Sequence, residues 1–142
     1  MKLSLSEIVN SAKNLSTRKE KIEWLQLNRS VPLLTILNIA YNKDVVLLIP
    51  DMPPPWKKND YTDAQGMLYK EARRLKIFCK GGGYDQLNQT KREQLFISLL
   101  EDVDNADADL LCDMIRQKPF KGLPRSLVSE AFPDLNLIEK KE

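Results

Sequence analysis

A β-strand needs a partner, and only one stretch of this sequence, Val45-Val-Leu-Leu-Ile49, has the short β-branched character of a strand. No second candidate exists to pair with it, and an unpaired strand does not hold in water. The run therefore reads as a buried helical turn, and the chain as all-α.

Helix starts recur along the rest. Ser4 with Glu7 three residues on forms a capping box before Leu5, Ile8, Val9, Ala12 and Leu15 at helical spacing. Thr17 with Glu20 repeats the box before Ile22, Trp24 and Leu25, in a helix ending near Asn28. Ser30 caps a third helix with Pro32 in its first turn, and Leu33 to Tyr41 is apolar almost all round, the pattern of a central helix. A fourth is expected over Thr62–Ile77, with Ala64, Met67, Leu68, Ala72 and Leu75 inward. A fifth should start at Thr90 with Glu93 completing its box, a sixth should cover Asp107–Gln117, and a short last one Ser126–Ala131, closed by Phe132-Pro133.

Between the third and fourth helices lies Asp51-Met-Pro-Pro-Pro-Trp56, and three consecutive prolines cannot continue a helix. The expected fold is a compact bundle of six to seven helices in two halves, joined by a proline-rich arm at 50–59 that Trp56 packs onto the body. At 142 residues, one domain over 1–136 with a charged tail at 137–142 is the natural division.

Composition removes whole classes of chemistry. With His 0 there is no Ser-His-Asp triad, no Cys-His pair and no imidazole ligand or proton shuttle. Cys79 and Cys112 stand far apart without CxxC spacing, so a zinc site is not expected and a reduced pair is. No P-loop, GxGxxG, HExxH or Lys-x-Asp-Gly occurs. The acids from Glu101 to Asp113 lack the glycine and terminal glutamate of a calcium loop, and suit helix capping better. The expectation is a protein that is not an enzyme and uses no cofactor or metal. The opening residues are polar and amphipathic, and no apolar run spans a bilayer, so a soluble intracellular location follows.

Net charge is only +2, so position matters more than total. One basic cluster runs Arg73, Arg74, Lys76 and Lys80 into Gly81-Gly82-Gly83, then Thr90, Lys91 and Arg92 at the next helix start. A second is Arg116, Lys118, Lys121, Gly122, Arg125 and Ser126, free of acids and directly following the acidic stretch. Each sets a glycine turn, which lets backbone approach closely, beside a helix start with free N–H groups and cations. That is equipment for gripping phosphates of a nucleic-acid backbone.

Ser16-Thr-Arg-Lys-Glu-Lys-Ile-Glu-Trp-Leu, Leu33 to Tyr41, the Ile49-Pro-Asp-Met-Pro-Pro arm and the ending Gly122-Leu-Pro-Arg-Ser-Leu-Val-Ser-Glu-Ala-Phe-Pro-Asp-Leu stand in an order seen elsewhere. Over roughly residues 5–136 the chain resembles the N-terminal all-helical DNA-binding domain of ATP-dependent DNA ligases of T-even-like bacteriophages. That resemblance implies a minor-groove grip on duplex DNA, with Lys80–Gly83, Thr90, Lys91 and Arg92 as one clasp and Lys118, Lys121, Gly122, Arg125 and Ser126 as the other. It also implies a stand-alone phage protein without the adenylation domain, working in host cytoplasm in replication, repair or transcription, with a sliding clamp as a further partner. The competing expectation is an adaptor subunit for a clamp, replisome or virion that keeps the fold without binding DNA.

Overall fold

The computed structural model describes residues 3–50, 56–57 and 67–135. Seven α-helices occur among them: α1 (Leu5–Lys13), α2 (Arg18–Leu27), α3 (Val31–Tyr41), α4 (Met67–Glu71), α5 (Gln89–Asp102), α6 (Asn105–Met114) and α7 (Arg125–Ala131). The protein is all-α.

The first three helices begin where their caps place them. The Ser4 hydroxyl accepts the Glu7 amide at 3.2 Å while the Glu7 carboxylate accepts the Ser4 amide, completing a reciprocal box. Thr17 accepts the Glu20 amide, and Ser30 the Leu33 amide. Farther along, local chemistry shifts two starts. Asn88, not Thr90, caps α5, its Oδ1 accepting the amides of Thr90 and Lys91. Asp104 caps α6 through the Ala106 amide, so that helix starts at Asn105 rather than Asp107.

The fourth helix also differs from expectation. Within the described residues it is α-helical only over Met67–Glu71, and Ala72–Phe78 continues as 3₁₀. The buried residues explain the tighter winding: Ala72, Leu75 and Phe78 recur every third position, and a three-residue turn stacks them on one line facing the core. Arg73 and Lys76 are left outside.

Residues 45–49 are not a helical turn. Leu47 forms an isolated antiparallel bridge with Cys79: the Leu48 amide donates to Phe78 O at 2.7 Å, and the Lys80 amide to Val46 O at 2.8 Å. The partner that sequence inspection lacks is the two-residue extension leaving the 3₁₀ segment, too short to show a strand pattern.

The segments before and after the arm share one core. α3 is central as expected, packing on α4, the 3₁₀ segment and α6, while α1 packs on α2 and α6, and α2 on α7. Phe78 and Phe96 meet edge to face with centroids 5.2 Å apart at its centre; burying side chains of that size is worth about 2–3 kcal/mol each. Trp56 is half-buried against this core, and the Lys57 amide donates to the Glu101 carboxylate at 2.8 Å. The prolines 53–55 and the helix start expected at Thr62 lie outside the described residues, as does the charged tail.

Candidate nucleic-acid interface

The first glycine turn is built from its backbone outward. Gly81 and Gly83 have φ of 84° and 94°, a region L side chains avoid. Gly82 packs directly on the Lys76 carbonyl, where an added Cβ would collide with the oxygen. The Gly81 amide, expected to face a ligand phosphate, donates instead to both carboxylate oxygens of Asp85, at 2.9 and 3.1 Å.

Two of the arginines nearby hold the fold rather than face solvent. Arg92 is only 4% exposed. Its guanidinium donates to the carbonyls of Tyr84 and Asp85 at 3.0 and 3.3 Å and to Gln89 Oε1 at 2.7 Å, tying the loop to α5. Arg74 pairs with Glu71 at 2.9 Å and Asp102 at 3.3 Å. Sequence reading took both as ligand contacts; in the folded chain Arg92 is buried and Arg74 is half-buried with its charge already opposed by two carboxylates, so neither is presented to a phosphate as Lys80 and Lys91 are. Arg73, Lys80, Thr90 and Lys91 remain exposed, although the Thr90 and Lys91 amides are occupied by Asn88.

In the second turn two lysines face outward. Lys118 and Lys121 are exposed and form no ion pair among the described residues. Gly122 has φ 80°, and its carbonyl accepts Lys21 Nζ at 2.8 Å. Lys13 packs its backbone about Gly122, with Nζ 5.4 Å from the Phe120 ring centre. Arg18 donates to Ser126 Oγ at 3.4 Å and pairs with Glu130 at 3.6 Å. Arg125, half-buried, opens α7. Arg116 turns back to Asp113 at 3.8 Å.

Lys13, Arg18 and Lys21 escaped the sequence reading. They lie about a hundred positions upstream, on two successive helices, α1 and α2, and nothing local says what they meet.

One short segment connects the two turns. Val46 O accepts the Lys80 amide, while its neighbour Val45 O accepts Gln117 Nε2 at 2.8 Å. Gln117 also caps α3 through Ile39 O at 3.2 Å, and it adopts φ 53°, unusual for a side-chain-bearing residue. Both basic turns therefore flank residues 42–48.

The reactive groups are quiet. Burial, with Asp109 and Asp113 nearby, pushes the Cys112 thiol up to about 11, and burial raises Cys79 as well, so neither thiolate forms readily at neutral pH. Among the described residues no three His, Cys, Asp or Glu side chains gather as a metal site would, and no helix is long and apolar enough to cross a membrane.

Residues 8–120 match the sequence profile of a family of unknown function, DUF6433, and the chain belongs to that family. No curated protein and no solved structure is matched by it.

Proposed function

We propose that this DUF6433 chain binds double-stranded DNA through its phosphates, without catalysing a reaction, in the manner of the ligase-type helical domain it resembles. The observation that carries the reading is the gathering of cations about the second glycine turn from two stretches about a hundred positions apart: Lys21 Nζ bonds the Gly122 carbonyl, the Lys13 backbone packs on Gly122 with its Nζ over Phe120, and Lys118 and Lys121 stand exposed beside them. Building like charge on one turn costs stability, and a polyanion laid across it turns that cost into affinity. Lys118 extends the same patch, and Lys80, Lys91 and Arg73 flank it from the other turn as secondary contacts. Because a phosphate-directed grip reads no base edges, binding is tolerant of sequence. The setting consistent with it is a phage protein accessory to replication, repair or transcription.

A salt titration of duplex binding by the full chain tests this. With about six phosphates contacted, affinity falls about a thousandfold between about 50 and 200 mM salt. Lys118→Glu with Lys121→Glu weakens binding at low salt by at least about tenfold. Unchanged affinity in that double variant removes the proposal's support.

A second reading is the adaptor without DNA, and one observation favours it: Asp109 and Asp113 line the same narrow groove as Lys13, where they oppose an incoming phosphate. It prevails if the wild-type chain binds no duplex at low salt yet co-purifies with a clamp or polymerase subunit.

A further inference from the structure

α2 is divided by charge along its length. Arg18 and Lys21 face α7 and the Gly122 turn. Glu20, Glu23, Trp24 and Leu27, spaced three and four apart, share the other side. Together with Leu15 they line an open groove of about 270 Å³. Its lining presents apolar surface to solvent, with Leu27 80% exposed. Trp24 is fixed there, because its indole N–H donates to the Ile8 carbonyl at 2.9 Å. A wall already in place avoids the ordering cost of binding. Glu23 forms no ion pair among the described residues, and Glu20 accepts only its own cap hydroxyl and stays exposed.

We propose that this groove docks a basic amphipathic helix of a partner protein, with one apolar face on Leu15, Trp24 and Leu27 and Lys or Arg side chains on Glu20 and Glu23. Charge complementarity selects the occupant. The two carboxylates repel nucleic acid and anionic lipid. A second copy related by a two-fold axis would set the same carboxylates against each other. The site lies on the side of α2 away from the basic turn, so it stands whether or not the chain binds DNA.

The test titrates the full chain with a synthetic amphipathic Leu/Lys helix of roughly 18 residues, about five turns, followed by amide chemical shifts, beside a Leu/Glu counterpart. Expected are shifts at Leu15, Glu20, Glu23, Trp24 and Leu27 with the basic peptide only. Leu27→Ser should weaken binding about tenfold by removing apolar contact, and Glu20→Lys with Glu23→Lys should abolish it. Leu27 is solvent-facing, so its replacement leaves the fold intact and gives a clean readout. Shifts confined to the acids between Glu101 and Asp113, or an unaltered affinity in Leu27→Ser, overturn the proposal. So does a concentration-dependent dimer in the wild type that Leu27→Ser abolishes, because it names a second copy as the occupant.

Discussion

Asp107 caps a helix to which it does not belong: on the first turn of α6, its Oδ1 accepts the Ser6 amide of α1 at 3.0 Å. The residue is 0% exposed, and among the described residues Oδ2 has no hydrogen-bond partner. Burial raises its pKa above the ordinary 3.8, the hydrogen bonds from Ser6 pull the other way, and Asp104 and Glu7 add to the rise. The folded chain therefore holds this proton more tightly than the unfolded chain. Its contribution is present in full below the ordinary carboxylate value and is lost as pH rises through the raised one. Asp107→Asn keeps an acceptor for Ser6 and removes the titration. The melting temperature of the variant relative to wild type should climb from about pH 4 to about pH 7. A constant difference across that range would contradict the assignment.

Tyr41 fastens the second basic turn to the end of α3. Its hydroxyl donates to Leu123 O at 2.7 Å and accepts the Phe120 amide at 2.8 Å, and its ring meets Phe120 edge to face. Tyr41→Phe leaves the ring and strands both backbone groups, which costs about 2–3 kcal/mol. Urea unfolding should show a lower midpoint with an unchanged slope.

Helix existence was legible in this sequence because its caps are local. Ser4, Thr17 and Ser30 satisfy amides three residues away, so the pattern that stabilises each start can be seen without knowing the fold. The pairing of Leu47 with Cys79 was not legible, since it joins residues from two sides of the arm and is one bridge long. The candidate site divides in the same way. Which turns carry glycine and cations is written in the sequence. Whether a given arginine faces solvent depends on carbonyls such as those of Tyr84 and Asp85, whose direction is set only when the loop closes.

The three consecutive glycines are not equivalent. Gly81 and Gly83 have open space where a Cβ would stand and carry only the strain of positive φ, whereas at Gly82 the Lys76 carbonyl fills that space. Gly81→Ala should cost about 1 kcal/mol through backbone strain alone. Gly82→Ala should cost more, because backbone rather than a yielding side chain must move. Thermal melts of the two single variants would rank them, and the reverse order would refute the close approach.

Arg92 and Lys91 are adjacent in sequence, one buried and bonded within the loop, the other exposed. Arg92→Ala removes three internal hydrogen bonds and leaves the Tyr84 and Asp85 carbonyls without their donor, so stability should fall by about 2–3 kcal/mol. Duplex affinity of the folded protein should stay the same if the loop's role in binding is secondary. Lys91→Ala should leave the melting temperature in place, while the slope of log affinity against log salt drops by about 1 for one lost phosphate contact. Paired melting and salt-titration curves on the two variants decide the matter. If Arg92→Ala alters the salt slope while the melting temperature holds, Arg92 is a phosphate ligand and its buried hydrogen bonds are not what they appear in the free chain.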